Sequence, residues 1–133
     1  MRIDKGGCIL INKENKVAIV YREYRDDYSF PKGHLEKDES ILDAAIRETE
    51  EEIKRKVKLI SEEEICTEEY SSFEGEIVVH YYLGHDDGES DNDSEEVHDL
   101  IWCDIDKEVE MLTRESTKKM FLGVKDKIKD SIK

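Results

Sequence analysis

Apolar residues come along this chain in short runs separated by charge. The runs "CILI", "VAIVY", "IVVHYYL" and "LIW" are strand-sized and rich in β-branched and aromatic residues. They predict strands over 5–11 and 16–23 joined by the turn "NKEN", and a hairpin pair over 65–71 and 76–84 with "SFEG" near its turn. A last strand is predicted over 99–105, and 54–61 alternates in part, with Val57 and Leu59 on one face. Two stretches show helical period instead. Residues 113–132 set Met120, Phe121, Val124 and Ile128 at helical spacing and gather basic residues toward the end, which suits the helix macrodipole. Residues 40–54 open on Ser40 as an N-cap, with Asp43 three residues on. The polar stretch "HDDGESDNDSEE", 85–96, predicts a long mobile loop. Strand, strand, helix, several strands, helix is the order of a mixed sheet with helices packed on it.

The helix over 40–54 carries the chemistry. At roughly 100° per residue, Leu42, Ala45, Ile46, Thr49 and Ile53 form a core-facing stripe. Glu48, Glu51 and Glu52 share a face beside it, with Arg47 alongside, and Glu50 points away. Like charges at this spacing repel. Two readings stand: a solvated acidic face, or carboxylates gathered for a hard divalent cation such as Mg²⁺ or Mn²⁺ that also grips phosphate. Upstream, "FPKGHLEKDE" is no ordinary helix approach, because Pro31 fixes the chain and Gly33 allows a tight bend or a close backbone approach to a ligand.

Composition narrows the classes. A length of 133 residues predicts one domain over 1–133, and a net charge of −14 argues against unaided binding of a nucleic-acid backbone. A phosphorylated substrate would need metal ions as intermediaries. Cys8, Cys66 and Cys103 are odd in number and lack CxxC spacing, which predicts reduced thiols in a cytoplasmic protein. No apolar run reaches membrane-spanning length and the N-terminus shows no secretory apolar region, so no membrane partner is expected.

Gly33, Glu39, Arg47-Glu48 and Glu51-Glu52 stand at the spacing of the signature box of the Nudix hydrolases, G-x(5)-E-x(7)-R-E-U-x-E-E-x-G-U with U aliphatic. The chain therefore resembles that family. The likeness extends to "GGCILIN" as the first core strand and "EEVHDLIWCDID" before the final helix. It departs at Lys54, where the box has its late Gly, at Thr49 and Arg55, where it has aliphatics, and at Asp38, where Gly is frequent. The resemblance implies an α/β/α sandwich with the box helix and the C-terminal helix packed on a mixed sheet.

It also implies roles. Glu48, Glu51 and Glu52 would be metal carboxylates, with Glu48 or Glu52 as the base that takes a proton from water. Arg47 would hold a glutamate by a charged hydrogen bond, Glu39 would support the loop, and the backbone at Gly33 would approach metal or phosphate. Glu96 would add a ligand or a base, or else is one of several solvated acids in its loop. "PKGH" resembles the diadenosine tetraphosphate hydrolases, with some inositol-pyrophosphate hydrolases also near. Lys32 and His34 would then line a phosphate pocket, and Tyr81 or Tyr28 would stack on a base, unless these rings are simply core aromatics. The expectation is a metal-dependent pyrophosphohydrolase of nucleoside polyphosphates, foremost of the diadenosine type, monomeric or homodimeric. The rival readings are a nucleoside-triphosphate, ADP-ribose or nucleotide-sugar pyrophosphatase, and a catalytically silent nucleotide-binding module.

Overall fold

In the computed structural model, residues 1–95 and 98–133 are described. The sheet is built around two long strands. β1 (Arg2–Ile11) and β7 (Gly75–Glu89) run parallel, in register from Arg2 opposite Glu76 to Ile11 opposite His85. β6 (Cys66–Ser72) and β5 (Arg55–Leu59) pair antiparallel with β7. On the other side of β1 lie β2 (Lys16–Arg22) and the short β4 (Lys32–His34). β2 in turn carries β3 (Asp27–Ser29) and β8 (Asp99–Asp104).

Strand alternation sorts the apolar residues onto two faces. Ile9, Ile11, Val17 and Ile19 join the larger core with Phe121, Val124 and Ile128 of α3 (Glu115–Ser131). Leu10, Ala18 and Val20 pack on the opposite side with Ile53 of α1 (Ile41–Ile53), and Cys8 packs there with Ala45. Having both faces apolar is why β1 and β2 read as unbroken runs rather than as alternation. One helix on each face makes the expected α/β/α sandwich, with a single turn of helix, α2 (Glu108–Met111), before α3. Gly6 lets α1 approach: a Cβ there would stand 2.5 Å from the Ile41 carbonyl oxygen and 2.8 Å from the Ala45 nitrogen.

Several expectations change. The polar stretch after residue 84 is no loop at its start, since β7 continues through Glu89, where side chains alternate between solvent and the sheet. β3 and β4 were not foreseen. On α1, Ala44 and Glu52 are buried, whereas Leu42 and Ile46 are half-buried. Trp102 is half-buried beside the smaller cluster. Ser40 caps α1 as expected, its Oγ accepting from the Asp43 backbone N–H at 3.1 Å.

Candidate active site

The segment from β4 to α1 is held by one side chain. Arg47 donates from Nε and Nη2 to the Glu39 carboxylate at 2.8 and 2.9 Å, and from Nη2 to the His34 carbonyl at 2.9 Å. Its Nη1 reaches Glu48 Oε1 at 2.9 Å and Glu51 Oε2 at 3.1 Å. Glu39 also accepts from the Glu36 backbone N–H, so the loop closes on its own acid. The same bonds hold the Glu39 carboxyl below its usual pKa, and they push the Arg47 guanidinium further above its own.

Behind this, Glu52 is buried against Arg22, at the end of β2. Arg22 Nη2 donates to Glu52 Oε2 at 2.6 Å, and the Lys32 backbone N–H donates to Oε1 at 2.8 Å. Arg22 also contacts Ser29 Oγ and lies 3.5 Å from Asp27. Burial raises the pKa of the Glu52 carboxyl even so, with Arg22 and Lys32 opposing it. The crowding of Glu48, Glu51 and Glu52 is thus relieved here by two arginines.

Glu48 and Glu52, one turn apart on α1, line a cavity of about 260 Å³ together with Lys5, Arg22, Lys32 and His34. Glu48 lies against Gly33 so closely that a Cβ there would stand 2.1 Å from its Oε2. That oxygen accepts no hydrogen bond among the described residues. Burial, and then the neighbouring Glu52 and Glu51, raise the Glu48 carboxyl to about 7 against the opposing pull of Arg47. In the same cavity, burial and the charges of Arg22 and Lys5 lower Lys32 to about 8.

As the side chains stand, no three donor groups converge on one point among the described residues. The donor set nonetheless fits a hard divalent cation. It is all carboxylate oxygen on a rigid helix, with a free Glu48 oxygen in a cradle that any side chain at position 33 would fill. Glu48 and Glu52 face the cavity, whereas Glu51 spends its carboxylate on Arg47 and is not part of the lining. Glu50, the bystander, accepts from Ser90 Oγ at 3.0 Å.

The substrate candidates divide. Lys32 and His34 reach the cavity, His34 with its ring bonded to Glu74 at 2.7 Å. Tyr81 does not: it has no exposed surface, lies edge-on to Phe30 at 5.6 Å, and donates to the buried Glu68 at 3.1 Å. As packed here it offers no face to a base. Tyr28 is half-buried 4.6 Å from Tyr21 and lies outside the cavity lining. Glu96 lies outside the described residues. Sequence reasoning missed Arg22, Tyr24, Arg25 and Lys5. The polar break "REYR" directly after an apolar strand was the available signal.

Comparison with known proteins agrees with the fold. A sequence profile of the NUDIX domain matches residues 1–122. The Ap4A hydrolase of C. elegans in a binary complex shares the fold at a TM-score of 0.73 and 19% identity, over 96% of this chain and 98% of that one. The MutT protein of Methanosarcina mazei Go1 follows at 0.70 and 16%, over 99% and 96% of the two chains. A stretch of 49 residues, 37% of this chain, is 39% identical to the mRNA-decapping enzyme subunit 2 of Saccharomyces cerevisiae (strain YJM789). The match spans 5% of that relative's length. Among the described residues, no helix is long and apolar enough to cross a membrane.

Proposed function

The chain belongs to the Nudix family, pyrophosphohydrolases that use divalent cations on nucleoside diphosphate-linked substrates, and from that premise we propose that it cleaves dinucleoside polyphosphates of the diadenosine type with Mg²⁺ or Mn²⁺. The observation that carries this reading is a cleft that brings carboxylates and cations together: Glu48 and Glu52 with Lys32, Lys5 and Arg22. A pyrophosphate is attacked slowly by water because it is anionic, so it needs positive charge on its oxygens and a base beside the water. A bound divalent cation supplies charge neutralisation and makes water more acidic.

The chain's own residues do the rest. Lys32 and Lys5 draw the phosphates toward the mouth of β4. Glu48, with an oxygen that has no hydrogen-bond partner among the described residues, is better placed than Glu52 to take the proton from water, because both Glu52 oxygens are engaged by Arg22 and the Lys32 N–H. Glu48, Glu52 and, once released from Arg47, Glu51 would hold the cation. Arg47 keeps Glu48 and the Gly33 loop in mutual position through Glu39 and the His34 carbonyl.

The test is a turnover panel of diadenosine tetraphosphate, nucleoside triphosphates, ADP-ribose, a nucleotide sugar and a capped dinucleotide, each with Mg²⁺ and Mn²⁺. Hydrolysis of the dinucleotide should stop with chelator and fall about 10²- to 10⁴-fold in Glu48→Gln. Preference for another member would overturn the substrate but keep the mechanism. Full activity in Glu48→Gln would remove it as the base.

A further inference from the structure

The cleft continues past the acidic helix. Beyond Lys5 and Glu74, which line both parts, it opens into a second hollow of about 240 Å³ whose wall carries Arg25, Tyr70 and Arg114. The cations here are unusual for a chain of net charge −14. Arg114 stacks its guanidinium 3.8 Å over the Tyr70 ring, which Lys32 Nζ also approaches at 6.0 Å. Arg25 stacks at 5.7 Å over Tyr24. Among the described residues none of Arg25, Arg114 and Lys32 has a carboxylate within ion-pair distance of its side chain, although acids outnumber bases 35 to 21. The one acid in the hollow, Glu74, is already matched by Lys5 at 3.7 Å and His34 at 2.7 Å. Burial lowers the pKa of Lys5, and Arg25, Arg114 and Arg22 add to that fall, so these charges are near enough to repel one another.

Cations crowded around a single acid that is already matched, in an acidic protein, are relieved by a bound anion. Their line runs from Lys32 in the first cavity to Arg114 in the second, which suits an extended anion rather than a point charge. A guanidinium held over a ring can still offer N–H groups to phosphate oxygens. We propose that the second hollow is a distal phosphate subsite, in which Arg25, Arg114 and Lys5 hold the part of a polyphosphate chain lying beyond the pair of phosphates that is cleaved. The assignment of the cleaved pair rests on the hydrolase reading above; the subsite itself does not. It selects substrates with three or more phosphates in line over those with two.

Binding of inorganic pyrophosphate, tripolyphosphate and tetrapolyphosphate, measured by calorimetry in metal-free buffer at low salt, tests this without any turnover. In the wild type, tetrapolyphosphate should bind about tenfold more tightly than pyrophosphate. The Arg25→Gln/Arg114→Gln double variant should bring the two within about twofold, and the Arg25→Lys/Arg114→Lys variant should restore most of the preference. Arg25 is exposed and Arg114 half-buried, and a melting curve of each variant checks that it folds. Equal affinity for all three probes in the wild type would overturn the subsite, as would a preference that survives in the glutamine variant. The length preference stands or falls whether or not the turnover panel finds a substrate.

Discussion

At the scale of single residues, the site is organised by arginines more than by the acids that announce it. The acids were legible because their spacing along one helix is local: i, i+3 and i+4 fix a shared face before anything else folds. Arg22 was not, because only the sheet brings it to Glu52 from thirty positions away. The same holds for His80, which no spacing rule singles out. It is buried between Asp4, at 2.9 Å from Nε2, and Glu64, at 2.5 Å from Nδ1. Burial works against its charge, but the bonds to Asp4 and Glu64 outweigh it, so its pKa is raised. A raised folded-state pKa stabilises the fold fully below the unfolded value, near 6.5, and that contribution is lost as pH rises through the folded value. The melting temperature of wild type minus that of His80→Gln should therefore be largest near pH 6 and shrink toward pH 9. A difference that grows with pH would mean the imidazole is neutral in the fold.

At the scale of elements, both of the chain's departures from the box glycines fall where the backbone is left-handed. Asp38 has φ 62° and Lys54 has φ 56°. Lys54 ends α1, its N–H bonded to the Glu50 carbonyl, and its Nζ reaches the Ser94 carbonyl at 2.6 Å. The side chain gains a bond where a glycine would gain ease. Comparing Lys54→Gly with Lys54→Ala separates the two effects, since both lose the Nζ bond and only one keeps the strain. The glycine variant should be the more stable by about 1 kcal/mol in denaturant titrations. Equal stability would show that the helix end relaxes around the alanine. Elements with apolar runs or a full helical stripe were legible. The far end of β7 was not, because "HDDGE" holds its place by pairing with β5 and carries no apolar face. Nor were β3 and β4, three residues each, which exist as ladder partners of longer strands.

At the scale of the whole molecule, a net charge of −14 repels itself wherever it is not locally matched. Screening should relieve more repulsion than it costs in surface ion pairs, which contribute little. Raising NaCl from 20 to 300 mM should then lift the melting temperature, by about 3–5 °C for about 1 kcal/mol. A fall would mean that the arginine networks dominate the charge balance. A mixed sheet with helices packed on it was legible from the order of elements, and the α/β/α sandwich from the resemblance that the box carries. The parallel pairing at its centre was not, because nothing in "CILI" or "IVVHYYL" states which strand each will meet. That pairing has a consequence for how the chain is made. β1 leaves the ribosome well before its neighbour β7, which follows only after the acidic helix and five other strands have emerged. For that interval an apolar strand has one edge open and the face that α3 will cover bare, next to a nascent chain already rich in carboxylates. Mutual repulsion between copies, a burden to the finished fold, protects it during the wait.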